Sequence, residues 1–306
     1  MGKVAFVFSG QGAQYPGMGR ELYEHSSTAR AVFDAADVIR PGTAEQCFSG
    51  SEQELARTDN TQPCIYCVGL AAAAALREAG IAPDMLAGFS VGEMAALAFS
   101  GAVSYDDGFR LVCKRGELMQ KASDGIGAGM AAVLKLADEA VAELCAEFRQ
   151  VYPVNYNCDG QVVVAGSNHE LELFIQRVKD SGGRAMPLKV SGGFHSPFMA
   201  DASAGFAQVL ETAAIGQPLL PVYSNVTALP YADDVRALLA RHINSAVLWK
   251  KTVKNMLADG ADTFVEAGPG KTLSGLVSRV SADARVLNVE DLGSLKRTLA
   301  ALGVGV

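Results

Sequence analysis

Short apolar segments alternate with amphipathic segments along most of the chain. The apolar segments have the length and composition of buried strands, and the amphipathic segments between them have a helical period. Strands separated by helices are typical of an α/β fold with a mostly parallel sheet. We place Pro63 in the first turn of a helix, where proline is favoured. Outside the middle of the chain, the predicted strands are 3–9, 85–89, 263–267 and 285–289, and the predicted helices are 63–79, 91–99, 105–122, 272–280 and 292–302.

The middle of the chain has a different order of elements. A strand, a helix, two strands, a helix and a strand follow one another, and this order is ferredoxin-like. Asp159-Gly160, between the two central strands, is a hairpin signal. We therefore predict that residues 125–197 form an inserted ferredoxin-like domain and that 1–124 and 198–306 form a large α/β hydrolase-like domain, with the ligand site in the cleft between them. The elements predicted for the insertion are strands 130–135, 151–156, 161–166 and 184–190 and helices 138–148 and 168–180.

Composition and charge exclude several classes of protein. The 306 residues are 49% hydrophobic and 19% charged, which is ordinary for a globular protein and excludes a disordered or coiled-coil chain. The net charge is −7 and no basic run exceeds two residues, so we expect no nucleic-acid partner. The longest apolar run, 64–76, is too short to span a bilayer, so we expect no membrane insertion.

The cysteines and glycine-rich segments give no sign of a metal or cofactor. The apolar stretch 4–8 is too short for a signal peptide, so the six cysteines are expected to be reduced thiols of a cytoplasmic protein. We also expect the protein to be a monomer. Cys64 and Cys67 form a lone C-x-x-C with no second pair, which disfavours zinc. Tyr15 breaks a dinucleotide-binding glycine pattern, and Val265 stands where a P-loop needs glycine.

The most informative motif is G-x-S-x-G at residues 88–92, between a predicted strand and a predicted helix. This context is the one that a nucleophile elbow requires, with Ser90 at the apex of a sharp turn. Gly88 and Gly92 remove side chains that would collide across the turn. The N–H of Val91, at the helix N-terminus, would point to where an oxyanion forms. The alternative is a glycine-rich tight turn with an N-cap serine.

A nucleophilic serine needs a base, and His195 is the best placed of the four histidines. It lies at the seam where the predicted insertion rejoins the large domain, and Pro197 predicts that a helix starts just after it. A helix N-terminus disfavours the imidazolium form and keeps the ring neutral, as a base requires. The alternative is a structural loop histidine. His242 is interpreted only as a residue near a helix end.

Arg115 has an unusual setting for an arginine. Its helical neighbours at three and four residues in both directions are apolar, which places Arg115 in the buried stripe of helix 105–122. Arg110 and Lys114 have polar flanks and are expected to be solvated. A buried guanidinium is costly unless an anion meets it. The anion is either a structural Asp or Glu, or the carboxylate of a substrate held by two hydrogen bonds.

Eight short segments, spread over nearly the whole chain, carry a further signal. Any one of them is weak, but in this order they resemble the malonyl-CoA:acyl carrier protein transacylase family and are together specific for it. The segments are FSGQGAQ (8–14), TQP (61–63), GFSVGE (88–93), RGELMQ (115–120), NYN (155–157), QVVVAG (161–166), GFHS (193–196) and EAGPGK (266–271).

The resemblance implies a ping-pong acyl transfer through a malonyl-Ser90 intermediate, which would supply malonyl groups for fatty acid synthesis. In that scheme His195 is the base, and the coenzyme A of malonyl-CoA is replaced by the phosphopantetheine thiol of acyl carrier protein. Both are substrates or partners, so no resident cofactor is implied. The resemblance also implies an oxyanion hole made by the backbone N–H groups of Gln11 and Val91. The substrate-binding residues that it implies are Gln62, Arg115, Met119, Asn157, Phe194 and Leu248.

Three positions, Phe194, Phe89 and Leu248, carry more detail within the resemblance. Phe194 resembles the malonyl-selecting form of its motif, because a bulky ring leaves no room for a 2-methyl branch. Phe89 stands where the family usually has histidine, and Leu248 where it usually has glutamine. The family holds the base through the backbone carbonyl at the second of these positions, so we predict a Ser90–His195 dyad completed by the Leu248 carbonyl.

Three other functions stay open from the sequence. A thioesterase of the α/β-hydrolase type would use the same serine and histidine with an Asp or Glu between them in the chain, such as Asp124 or Asp159. A freestanding acyltransferase for a polyketide synthase is the alternative nearest to the predicted function. A catalytically silent binding protein would keep the pocket but release no coenzyme A.

Overall fold

A computed structural model describes residues 2–190, 192–232 and 234–304 of the chain. Its strands and helices alternate, as the hydrophobic pattern predicts. The strands are β1 (Lys3–Phe8), β2 (Met85–Gly88), β3 (Ala128–Leu134), β4 (Val151–Cys158), β5 (Gln161–Ser167), β6 (Arg184–Pro187), β7 (Val222–Tyr223), β8 (Ala261–Ala267) and β9 (Arg285–Val289). The helices are α1 (Arg20–His25), α2 (Ser27–Ile39), α3 (Thr43–Ser49), α4 (Glu52–Ala56), α5 (Thr58–Glu78), α6 (Val91–Phe99), α7 (Tyr105–Ser123), α8 (Asp138–Ala146), α9 (Asn168–Asp180), α10 (Ala200–Glu211), α11 (Val235–His242), α12 (Trp249–Ala258), α13 (Thr272–Val280) and α14 (Leu292–Ala301).

A parallel sheet forms the centre of the larger part of the molecule. Its five strands lie in the order β7-β2-β1-β8-β9, and every neighbouring pair is parallel. The first strand is in the middle, and its last four residues, Ala5 to Phe8, are buried. Parallel strands end at the same edge of a sheet, so the carboxyl ends of β1 and β2 lie side by side, with Phe8 opposite Gly88. Residues in the loops that follow β1 and β2 can therefore form one site at this edge of the sheet.

The second sheet is antiparallel and is built from the middle of the chain. Its four strands lie in the order β4-β5-β3-β6, which is the ferredoxin-like order, and α8 and α9 connect them. The hairpin predicted at Asp159-Gly160 joins β4 to β5. The α/β fold with a mostly parallel sheet and a ferredoxin-like insertion is thus confirmed, and the limits 125–197 of the inserted domain stay a prediction.

Some element boundaries differ from those predicted. Helix α5 begins at Thr58, so the prediction that Pro63 lies in the first turn is wrong and Pro63 lies inside the helix. The chain runs through it because this helix is buried almost throughout, and packing outweighs one missing N–H. The last strand of the insertion ends at Pro187, three residues before the predicted end. No helix in the described ranges is both long and apolar enough to cross a bilayer.

Candidate active site

The elbow at Ser90 has the strained geometry that the G-x-S-x-G motif predicts. Ser90 connects the end of β2 to the start of α6 and has a φ of 53°, which is left-handed and unusual for serine. A Cβ at Gly88 would lie 2.0 Å from the carbonyl carbon of Gly92, and a Cβ at Gly92 would lie 2.2 Å from the Phe8 carbonyl oxygen. Both glycines are therefore required for the turn to pack, as predicted.

The structure brings Ser90 and His195 into contact across 105 residues of chain. Ser90 Oγ lies 2.8 Å from His195 Nε2, and His195 Nδ1 lies 3.0 Å from the carbonyl oxygen of His242. A carbonyl oxygen only accepts hydrogen bonds, so Nδ1 carries the proton and Nε2 is left to accept the proton of Ser90. This tautomer is the one that a general base needs.

Burial keeps the His195 ring neutral. Desolvation, and then the nearby positive charge of Arg115, lower the pKa of His195 to about 4. The predicted neutral ring is confirmed, although burial and not a helix terminus is its main cause. A short 3₁₀ helix, Pro197–Met199, does start where predicted, with Pro197 at its first position.

The prediction that the Leu248 carbonyl holds the base is wrong. Leu248 is the N-cap of α12, and its carbonyl oxygen accepts the N–H of Thr252 at 2.9 Å. The backbone carbonyl that holds His195 belongs instead to His242, at the end of α11. The predicted type of partner, a carbonyl in place of a carboxylate, is confirmed.

Arg115 is fully buried beside the serine. Its guanidinium donates to Gln62 Oε1 at 2.6 Å and to Ser90 Oγ at 3.3 Å, and its Nε has no hydrogen-bond partner in the described part of the chain. Burial lowers the pKa of Arg115 to about 10, opposed by the charge of Glu93, so the side chain stays cationic at neutral pH. The structural alternative, an ion pair with Asp or Glu, is not found among the described residues.

Of the remaining predicted residues, Gln62 and Met119 are connected to this group by hydrogen bonds. Gln62 also donates to Met119 Sδ at 3.2 Å, which places both side chains next to Arg115. Phe194 is buried and adjoins His195 in the chain. The N–H groups of Gln11 and Val91 take part in no hydrogen bond found among the described residues, so both are available as donors.

A cavity of about 240 Å³ lies between the two parts of the fold. The loop after β1 lines it through Gln11, and the antiparallel sheet lines it through Asn155 and Asn157. Phe89 lines it too and packs on Trp249, with ring centroids 5.6 Å apart. The side-chain oxygen of Asn157 is buried and has no partner within the described ranges. The cavity lies where a cleft was predicted.

A buried polar network below the elbow was not predicted. The Asn225 side chain accepts from the Ser90 N–H and donates to the Gly88 carbonyl, and Glu93 accepts from the Asn225 N–H. The Glu93 carboxyl also accepts from Tyr231. A charged residue at the third position of an otherwise apolar helix was the one available signal for Glu93.

The chain matches the family of acyl transferase domains over residues 5–302. With a strained serine and a neutral histidine in contact at the edge of its parallel sheet, it is an acyltransferase. A malonyl CoA-acyl carrier protein transacylase of Bacillus subtilis is 37% identical over 310 residues, 99% of this chain and 98% of the relative. The chain belongs to this family of transacylases.

Solved structures agree with this assignment. The crystal structure of a malonyl CoA-acyl carrier protein transacylase from Clostridium perfringens is 37% identical, has a TM-score of 0.95 and covers 98% of this chain and 97% of its own. A malonyl-transacylase in complex with its type II PKS acyl-carrier protein is 33% identical, has a TM-score of 0.94 and covers 98% of this chain and 99% of its own. The whole fold is therefore shared, including the insertion.

Proposed function

We propose that the protein transfers the malonyl group from malonyl-CoA to the phosphopantetheine thiol of an acyl carrier protein, by a ping-pong mechanism through malonyl-Ser90. The observation that carries the proposal is a buried, cationic Arg115 that lies 3.3 Å from Ser90 Oγ and is paired with a neutral amide. A carboxylate-bearing acyl group supplies the missing anion. The names of the relatives point to the same substrate pair.

In the first half-reaction, Ser90 Oγ attacks the thioester carbonyl carbon while its proton passes to His195 Nε2. The carbonyl oxygen becomes negative and receives hydrogen bonds from the N–H groups of Gln11 and Val91. The C–S bond then breaks, and the sulfur of coenzyme A leaves with the proton from His195. The product is a malonyl ester on Ser90.

The second half-reaction repeats these steps with the carrier protein. The phosphopantetheine thiol gives its proton to His195, and its sulfur attacks the ester carbonyl. The bond to Ser90 Oγ breaks, and Ser90 regains a proton from His195.

Selection of the acyl group depends on charge and on shape. The guanidinium of Arg115 favours a terminal carboxylate, since a neutral acyl group leaves the buried cation without an anion. The buried ring of Phe194, next to the base, excludes a branch at the second carbon. Both features favour malonyl over acetyl and over methylmalonyl groups.

The carrier protein is expected to be acidic, so its docking on a chain of net charge −7 needs a local basic surface. We define the basic patch as Lys251, Lys254, Lys271 and Arg279, four exposed residues of α12, of α13 and of the position before α13. Helix α13 also lines the cavity. The neighbouring Lys250 is held by Asp138 and Asp159 and contributes less free charge.

Two alternative functions are a thioesterase and an acyltransferase that serves a polyketide pathway. A thioesterase triad is disfavoured, because His195 Nδ1 donates to a carbonyl and no carboxylate of the described residues contacts that ring. Service to a polyketide pathway is a second candidate, since one structural neighbour is bound to a type II PKS carrier protein. Rates with carrier proteins of the two pathways would distinguish these two assignments.

The direct test is covalent labelling followed by transfer. Intact-mass analysis after addition of malonyl-CoA should show one malonyl adduct on the wild type and none on Ser90→Ala. Addition of holo carrier protein should discharge the adduct and release coenzyme A continuously. An adduct on Ser90→Ala would remove Ser90 from the mechanism, and steady release of coenzyme A without carrier protein would indicate a hydrolase.

A further inference from the structure

The elbow is held from below by one side chain. The Asn225 amide nitrogen donates to the Gly88 carbonyl oxygen at 2.6 Å, and its amide oxygen accepts the N–H of Ser90 at 2.8 Å. These two bonds lie on either side of Phe89, the residue that leads into the left-handed Ser90. Asn225 is fully buried, so water does not compete for either bond.

The same amide oxygen is connected to the base. His242 Nε2 lies 3.2 Å from Asn225 Oδ1, and because that oxygen only accepts, Nε2 carries the proton. The His242 carbonyl oxygen accepts from His195 Nδ1 at 3.0 Å. His242 therefore makes two contacts. Its backbone carbonyl oxygen holds the base, His195, and its ring bonds the Asn225 amide that holds the Ser90 backbone.

The His242 ring takes part in this arrangement as a neutral side chain. His242 Nε2 is 3.9 Å from Glu93 Oε2, but burial lowers the pKa of His242 well below its usual value, so the ring is neutral. Glu93 accepts the backbone N–H of Asn225 at 2.6 Å and fixes the position of that residue. Tyr231 bonds the other Glu93 oxygen, at the end of the network away from the elbow.

We propose that Asn225 and His242 are positioning residues that form a bridge, the Asn225–His242 bridge, which keeps Ser90 Oγ and His195 Nε2 within hydrogen-bond distance. The proposal rests on the proposed roles of Ser90 and His195. Misplacement of a reacting group by about 1 Å costs roughly 100-fold in rate, so the bridge should act on rate and little on substrate affinity.

The test measures the reactivity of Ser90 with a small neutral reagent that does not need Arg115. Phenylmethylsulfonyl fluoride forms a bond from Ser90 Oγ to sulfur, fluoride leaves, and His195 takes the proton. Asn225→Ala and His242→Leu should lower both the rate of this inactivation and kcat/KM for malonyl-CoA by about 10- to 100-fold, with KM little changed. His242→Gln should recover most of what leucine loses, since an amide N–H again faces Asn225.

The matched control is Tyr231→Phe, which removes a buried bond to Glu93 from the same network without touching the elbow. It should lower the melting temperature but leave both rates near those of the wild type. Wild-type rates in His242→Leu, or an equal loss of rate in Tyr231→Phe, would overturn the proposal. If Asn225→Ala does not fold, the leucine and glutamine variants of His242 decide.

The experiment also separates the two levels of inference. A wild-type protein whose Ser90 is not modified by the reagent would refute the proposed nucleophile, and the bridge with it. A modified wild type, together with unaffected bridge variants, would refute the bridge alone.

Discussion

Arg115→Met should separate recognition of the malonyl carboxylate from a structural role of the arginine. Methionine keeps an unbranched side chain of similar length and removes the charge. In the structure the guanidinium is fully buried and bonded to Gln62 and Ser90, with no carboxylate of the described residues at ion-pair distance. Among the described residues this cation therefore has no anionic partner, and in the proposed function the malonyl carboxylate provides one.

The expected loss follows from that pairing. Removing one partner of a buried, hydrogen-bonded charge pair costs about 2–5 kcal/mol, which corresponds to a decrease of roughly 30- to 5,000-fold in kcat/KM for malonyl-CoA. Acetyl-CoA, which has no carboxylate, should lose little or gain, because methionine no longer penalises a neutral methyl group. Arg115→Lys should not restore the malonyl rate, since an ammonium cannot make two parallel bonds.

The assay is kcat/KM for both acyl donors on each variant, beside its melting temperature. Methionine leaves the Gln62 oxygen without its donor but removes a desolvated charge, so the melting temperature should change by only a few degrees. Arg110→Ala, an exposed arginine earlier in α7, is the matched control and should change neither rate. Equal losses for malonyl-CoA and acetyl-CoA, with a large drop in melting temperature, would refute the reasoning and assign Arg115 to the fold.

Three further predictions follow from the site and its surroundings. Coenzyme A release in a stopped-flow assay should stay constant from pH 8 to pH 6, because burial holds the pKa of His195 at about 4 and the base stays neutral; a decrease centred near pH 6.5 would contradict this. Lys254→Glu with Arg279→Glu should raise the KM for carrier protein only, and an unchanged KM would exclude the basic patch. Gly92→Ala should lower the free energy of unfolding in urea by about 1–3 kcal/mol, because its methyl carbon would meet a β1 carbonyl oxygen at 2.2 Å. Gly275→Ala is the control and should not destabilise the protein, because a Cβ there meets nothing within 4 Å. Equal urea midpoints for the two variants would contradict the elbow packing.

Elements defined by local periodicity could be predicted from the sequence. Helices α6, α9 and α13 have the predicted bounds, because the apolar spacing and the turn residues that end them lie within a few positions. Strand β7 has two residues and no periodicity of its own. It is a strand only because β2 pairs with it, and such pairing is decided by tertiary contacts.

In the site, too, residues with an unusual local context could be predicted, whereas contacts decided by the tertiary structure could not. Ser90, His195 and Arg115 could be found because each has an unusual local context, and the structure brings all three together. The carbonyl that holds the base was assigned to Leu248 and belongs to His242, six residues earlier. Every residue has a carbonyl, so its identity depends on how the chain after α11 turns, which no local pattern encodes.

The order of these residues along the chain has a consequence for synthesis on the ribosome. Ser90 emerges early, His195 follows 105 residues later, and the carbonyl that orients its ring follows 47 residues after that. A nascent chain that has not yet released residue 242 carries the serine without a properly oriented base. The contact between His195 Nδ1 and the His242 carbonyl oxygen can therefore form only after residue 242 has been translated, late in the synthesis of the 306-residue chain.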